Sequence, residues 1–256
     1  MANSYFKFKH FAIHQDRCAM KVTTDGCLFG AWVARQLSEE HPHAKTMLDI
    51  GSGTGLLTLM AAQKNPQLNI DAIEIDESAF NQARENISEA GFKNKVQVFP
   101  GNIHHEMSGK KYDVIVSNPP FYENEIKSAD TQKNFAHHDE GLLLEELLPI
   151  INRRLNDNGV FYLLLPYKRK NEIGSLFYKN QLFPSKKFYV SQSTKHEYFR
   201  ILIEGKLHQQ QSATENELSI CDDSGNYSSG FIALLKDYYL HLWNLAIDVD
   251  DKLISP

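Results

Sequence analysis

From residue 45 onward, short apolar runs alternate with windows whose apolar positions recur at helical spacing. Thr46-Met-Leu-Asp-Ile50, Ile70-Asp-Ala-Ile-Glu74, Val96-Gln-Val-Phe99, Asp113-Val-Ile-Val116 and Val160-Phe-Tyr-Leu-Leu-Leu165 read as strands, being short and rich in β-branched or aromatic residues. A helical run, Leu56 to Gln63, follows the first of them. After the second, Ala79, Phe80, Ala83, Ile87 and Ala90 share a face, with Asp76 as N-cap and Gly91 as the stop. Leu143, Leu144, Leu147, Leu148 and Ile151 form another helical face that ends near Gly159. Strand and helix in alternation predict an α/β fold with a mostly parallel sheet and helices on both faces. Lys187-Phe-Tyr-Val190 and Tyr198-Phe-Arg-Ile-Leu-Ile203 are separated by a loop too short for a helix. They are expected to pair antiparallel and close the sheet at one edge. Residues 208–230, rich in Gln, Ser and Asn, read as a linker, and Phe231 to Trp243 as an amphipathic helix docking on the domain.

The 256 residues, 42% hydrophobic and 23% charged, suit one large domain with an appendage. No window approaches the ~18 uninterrupted apolar residues of a membrane span, and the first ten residues lack a leader's apolar centre. A soluble cytoplasmic protein with no membrane partner is expected. Cys18, Cys27 and Cys221 are scattered and read as free thiols. The adjacent pairs His104-His105 and His137-His138 lack the spacing that aims two rings at one metal, so no metal is expected. Net charge is −5 but unevenly spread: residues 164–206 carry nine basic and three acidic side chains, and 207–256 carry two basic and eight acidic. A basic face on an acidic protein is thereby permitted.

In open α/β sheets ligands sit beyond the carboxyl ends of the strands. The first strand is followed by Asp49-Ile-Gly-Ser-Gly-Thr-Gly55. Gly51, Gly53 and Gly55, with Ser52 between, let the backbone bring a ligand close to a helix N-terminus. The dinucleotide fingerprint is not met, since Leu56 occupies its third glycine position, and the phosphate-loop Gly-Lys-Ser/Thr ending is missing. Glu74 ends the second strand where a carboxylate can accept from two ribose hydroxyls. Gly101-Asn102-Ile103 follows the third strand, where an amide and an apolar side chain can meet an adenine ring. Ser117-Asn-Pro-Pro-Phe-Tyr-Glu123 follows the fourth, a set that suits neither helix nor sheet interior.

In this order and spacing the four segments resemble the S-adenosylmethionine-dependent methyltransferases that act on exocyclic or amide nitrogens. The resemblance implies a class I Rossmann-like fold with a mostly parallel seven-stranded sheet and an antiparallel edge strand. It also implies S-adenosylmethionine as cofactor, held by Asp49, the glycine loop, Glu74, Asn102 and Ile103. Asn118, Pro119, Pro120 and Phe121 are then the catalytic segment. The Asn118 side-chain oxygen and the Pro119 carbonyl accept from the two N–H groups of the target nitrogen. Two prolines hold that carbonyl still, and Phe121 stacks on a flat, flipped-out substrate.

The flanks narrow the resemblance. Phe6-Lys-Phe-Lys-His-Phe11, the run Gln15 to Trp32, and Gly225-Asn-Tyr227 resemble bacterial tRNA (adenine-N6)-methyltransferases that modify the adenine 3′ of the anticodon of a valine tRNA, position 37. Carried over, Lys21, Thr23 and Asp25 lie near the methionine end of the cofactor. Residues 1–44 then form a segment serving cofactor and RNA, 45–206 the methyltransferase core, and 207–256 an extension with a terminal helix packed on it. Lys7, Lys9, Lys168, Arg169, Lys170, Lys186 and Lys187 are candidates to grip the backbone of the tRNA anticodon arm, while the Phe-Lys-Phe alternation equally fits a strand with a buried Phe face. Alternatives are a protein-glutamine N5-methyltransferase, whose relatives carry a helical domain before the core, and a noncatalytic RNA-binding protein on the same scaffold. The oligomeric state has no sequence signal.

Overall fold

A computed structural model describes residues 4–106, 109–120, 142–209 and 212–242. The chain begins with an antiparallel ribbon, β1 (Tyr5–Lys7) and β2 (Ala12–His14), followed by α1 (Thr24–Glu39). Then come β3 (Thr46–Ile50), α2 (Leu56–Lys64), β4 (Asn69–Glu74), α3 (Glu77–Ala90), β5 (Val96–Pro100) and β6 (Tyr112–Ser117). The second half contains α4 (Leu144–Arg154), β7 (Leu155–Pro166), a 3-10 turn (Tyr167–Arg169), α5 (Lys170–Lys179), β8 (Phe183–Ser193), β9 (Tyr198–Lys206), β10 (Thr214–Cys221) and α6 (Ser229–Leu235).

The main sheet runs β10-β8-β9-β7-β6-β3-β4-β5. Every neighbouring pair is parallel except the two that involve β9. From β3 the chain winds outward to β5 and then crosses back to β6. The strand order therefore reverses between β3 and β6, and the carboxyl ends of these neighbours bracket the crevice where such sheets bind ligands.

The fold class is as expected, but the strand count and the position of the reversed strand are not. The sheet has eight strands, because β10 forms within the stretch read as a linker and pairs in parallel with β8 over Thr214 to Cys221. Its polar composition is that of a strand with one solvated face: Glu215 and Glu217 are exposed while Leu218 and Ile220 are buried. The antiparallel strand β9 lies inside the sheet, between β7 and β8.

Side-chain parity divides the core into two layers. Val160, Tyr162 and Leu164 point to the side covered by α1, α2 and α6; Phe161, Leu163 and Leu165 point to the side covered by α4 and α5. The caps of α3 are those read from the sequence: Asp76 Oδ1 accepts from Ala79 N (2.7 Å), and Gly91 is left-handed at φ 63°. Helix α4 ends at Arg154 rather than near Gly159, because fully buried Leu155 already pairs with Tyr112 as the start of β7. The carboxyl-terminal helix is also shorter than expected, ending at Leu235. Beyond it the chain turns so that Tyr238 buries its ring and donates to Met60 O (2.9 Å), while Tyr239 bridges Phe8. The segment packs on the domain through Phe231 and Leu235 of α6 and through this turn; Trp243 lies outside the described residues.

Candidate active site

The glycine loop is built on β3 and held by β4. Gly51 N and Ser52 N both donate to Ile73 O (2.9 and 3.1 Å), and Gly53 N donates to Glu74 Oε2 (2.7 Å). Gly51, Gly53 and Gly55 take φ of 71°, 54° and 83°, the left-handed region that a Cβ disfavours. Gly55 also lies against α3, where an added Cβ would sit 3.4 Å from Ile87 Cδ1. Glu74 thus serves the loop itself, and its other oxygen accepts from Asp76 N (3.0 Å). A carboxylate has about four acceptor sites, so these bonds leave room for a further donor.

Asp49 is fully buried and accepts from Thr58 Oγ1 (2.7 Å). Burial, only partly offset by the Thr58 hydrogen bonds, pushes its carboxyl up to about 7. Two more polar atoms at the loop, Asp49 Oδ1 and Ser52 Oγ, are buried without a hydrogen-bond partner. Buried polar groups are normally paired. Unpaired ones facing a glycine loop fit a polar ligand.

Across the crevice, Ser117 Oγ donates to Ile50 O (2.8 Å), tying the end of β6 to the end of β3. The next residue is Asn118, whose side-chain Oδ1 is buried and also unpartnered. Above it lies the first turn of α1. Thr23 Oγ1 caps that helix by accepting from Gly26 N (3.3 Å), and an added Cβ on Gly26 would sit 3.5 Å from Leu56 Cδ2 and 3.9 Å from Asn118 Nδ2. Asp25, in the same turn, pairs with Arg200 of β9 at 2.7 Å. No local signal marks Arg200, since 175 residues separate it from its partner. Thr58, Ser117 and Gly26 belong to the site for the same reason: their roles depend on what the fold places opposite them.

Asn102 Oδ1 accepts from His104 N (2.9 Å), closing the turn after β5. Ile103 is buried beside Ile50 and Ile73. Pro119 and Pro120 continue from Asn118; Phe121, Tyr122 and His137-His138 lie outside the described residues.

The basic candidates are not brought together. Lys168, Arg169 and Lys170 follow β7 at the same end of the sheet as Asn118, with Arg169 paired to Glu172 and Lys170 Nζ 2.9 Å from Tyr167 Oη. Lys186 lies toward the opposite end, where it reaches Gln36 Oε1 (2.5 Å) and Glu40 near the carboxyl terminus of α1. Lys187 pairs with Glu215 of β10. Lys9 donates to Lys236 O near the carboxyl end of α2, also away from the crevice. Lys7 and Lys21 are exposed. Phe8 and Phe11 are buried and stacked on each other with centroids 4.6 Å apart, and half-buried Phe6 of β1 packs on Phe8 at 4.7 Å, so the aromatic side chains of this segment pack on the protein's own core. Among the described residues no cluster of three or more His, Cys, Asp or Glu is placed to hold a metal, and no helix is long and apolar enough to cross a membrane.

The methyltransferase small domain model matches residues 31–164. A curated tRNA1(Val) (adenine(37)-N6)-methyltransferase of Parabacteroides distasonis is 37% identical over 244 residues, covering 94% of this chain and 100% of the relative. The chain belongs to this methyltransferase family. A Trichodesmium erythraeum member with the same description is 39% identical, covering 94% and 99%. Among solved structures, a predicted O-methyltransferase from Agrobacterium tumefaciens superposes with a TM-score of 0.63 at 13% identity, covering 83% of this chain and 96% of that one. A methyltransferase from Pyrococcus furiosus gives 0.51 at 24% identity, covering 70% and 82%. These two likenesses bear on the fold. Family membership implies a methyl donor of the S-adenosylmethionine type, and the glycine loop with its unpaired buried acceptors is chemically suited to one.

Proposed function

We propose that this enzyme transfers a methyl group from S-adenosylmethionine to N6 of adenine 37 in a tRNA, a valine tRNA as in the relatives' descriptions, and so works in the cytoplasm. The observation that carries the reading is the buried, unpartnered Asn118 Oδ1, placed beside the glycine loop at the strand-order reversal. An unpaired acceptor there costs stability, on the order of 1–3 kcal/mol, unless a ligand donor satisfies it. The exocyclic amine of adenine supplies two N–H donors. One would bond Asn118 Oδ1 and the other the Pro119 carbonyl, held rigid by the prolines. Such bonds would draw the lone pair out of the ring's conjugation and free it to take up the methyl group, which is preorganisation of acceptors rather than acid–base chemistry.

Bound S-adenosylmethionine supplies an electrophilic methyl on a sulfonium. Asp49, Gly51, Ser52, Gly53 and Gly55 would hold its methionine and ribose portion, Glu74 the ribose hydroxyls, and Asn102 with Ile103 the adenine. Lys21, Thr23 and Asp25 would border the methionine end. Phe121 would stack on the flipped target base, and Lys168, Arg169 and Lys170 lie on the side of the molecule suited to meet an RNA backbone. Lys186 and Lys187, toward the other end of the sheet, and Lys9, away from the crevice, are less well placed for this contact.

The test is nucleoside mass spectrometry of tRNA from a strain lacking the protein, followed by transfer with purified enzyme. Loss of N6-methyladenine at position 37, restored by the wild type and not by Asn118→Ala, is expected. Transfer to protein instead of tRNA would overturn the reading.

A further inference from the structure

We propose that the Asp25–Arg200 ion pair is a positioning clamp that holds the first turn of α1 against Asn118, so that Arg200 sets the geometry of methyl transfer without touching either substrate. The proposal rests on the reading of Asn118 as the acceptor for the target amine.

Gly26 is the point of contact. A Cβ added there would lie in ordinary van der Waals range of Leu56 Cδ2 (3.5 Å), at the first residue of α2, and of Asn118 Nδ2 (3.9 Å), so one helical turn borders both the end of the cofactor loop and the catalytic segment. Helix ends have unsatisfied amides and open at low cost, so a first turn that must keep its position needs anchors. Here there are two. Thr23 Oγ1 and Asp25 Oδ1 share the Gly26 N–H (3.3 and 3.1 Å), which fixes the turn internally. Asp25 Oδ2 takes Arg200 Nε at 2.7 Å, which fixes the turn to the sheet.

An acidic residue in the first helical turn is favourable through the helix dipole alone, so helix formation does not require the arginine. What the arginine adds is location. Arg200 pairs with Pro166 of β7, and β7 borders β6, so the clamp ties α1 to the same sheet, two strands from the one that leads into Asn118. The side chains of Asp25 and Arg200 are 13% and 26% exposed, which leaves the pair less screened than a surface pair. Misplacing a reacting group by about 1 Å can cost roughly a hundredfold in rate, so loosening the turn is expected to act on turnover.

The experiment uses the full-length enzyme with Arg200→Leu and Arg200→Lys. Four readouts are taken: kcat on a tRNA transcript at saturating S-adenosylmethionine, cofactor Kd by calorimetry, the melting temperature, and hydrogen exchange at the amides of Gly26, Cys27 and Leu28. For Arg200→Leu the expected result is a kcat lower by about tenfold to a hundredfold, with cofactor Kd within about threefold of wild type and exchange at those amides at least about tenfold faster. Arg200→Lys, which keeps the charge on a different stem, should fall between. Unchanged kcat in a folded variant overturns the clamp, as does a loss explained entirely by weaker cofactor binding or by unfolding. If the wild type itself methylates no tRNA, the functional reading fails instead. The exchange measurement still judges the clamp in that case: faster exchange supports it and unchanged exchange overturns it.

Discussion

Asn118 and Asp49 each leave a buried side-chain oxygen without a hydrogen-bond partner at the crevice. Asn118 is a neutral acceptor whose oxygen is buried without a donor, and substitution by Ala removes that acceptor with the rest of the carboxamide. On the proposed function, Asn118→Ala should lower kcat by about 10²–10³, as loss of one preorganised hydrogen-bonding group does elsewhere, with calorimetric Kd for the cofactor within about threefold of wild type. Asp49 is a carboxyl that burial holds protonated up to about pH 7, against an ordinary value near 3.8. The folded state therefore binds this proton more tightly than the unfolded chain. Its contribution to stability is fully present below about pH 3.8 and is lost as pH rises through 7. Thermal melts of cofactor-free protein between these limits should show that decline, and Asp49→Asn, which keeps an acceptor for Thr58, should flatten it. The glycine loop's conformation was legible from its residues, because left-handed φ values are a local property of glycine. The protonation of Asp49 was not, since it depends on what the sheet and α2 place around it.

At the scale of elements, the strongest signals were runs whose periodicity and ends agree. Helix α3 was legible in both its caps, because Asp76 and Gly91 act within one turn of themselves. Strand β10 was not, because half of its side chains are solvated and its pairing partner is β8, more than twenty residues away in the chain. Helix α6 is shorter than its apolar pattern, because Tyr238 and Tyr239 continue that pattern but are held out of the helix by Met60 and Phe8. Two substitutions probe these packings. Gly205 of β9 sits on the Phe161 ring, and a Cβ there would overlap the ring and lie 2.9 Å from Phe183 O. Gly205→Ala should destabilise by about 1–3 kcal/mol, read as a lower urea midpoint with unchanged slope. Phe231 is fully buried between α6 and the α1 layer. Phe231→Ala should cost about 3–5 kcal/mol in the same titration.

The whole molecule is joined at the end away from the crevice by Glu204, a carboxylate 1% exposed on β9. Tyr162 of β7 and Ser185 of β8 donate to it at 3.0 and 2.7 Å, and His41 Nε2 lies 3.4 Å away. Burial alone would raise its pKa, but the bonds from His41 and Ser185 and the charge of Lys186 outweigh that and hold it at about 2. A depressed carboxyl contributes stability above its unfolded value near 4.5, and the contribution is lost as pH falls toward 2. A shift of this size corresponds to about 3 kcal/mol. Wild-type melting temperature should drop through this window, and the profile of Glu204→Gln should be flatter there. The same network explains why Lys186, a candidate for RNA by charge, is held by the protein's own acids and amides.

By itself the sequence determined the alternation of strand and helix, the order of the four crevice segments and the chemistry each could offer. These depend on backbone preferences and side-chain types that act within a few residues. Only the tertiary structure decided which polar atoms are left unpaired, which cations are already engaged, where the reversed strand lies, and that Arg200 meets Asp25 across 175 residues. Such facts depend on sheet order and register. A shift of one residue in β9 would turn Arg200 to the other face of the sheet, with no change in the local pattern from which the strand itself was read.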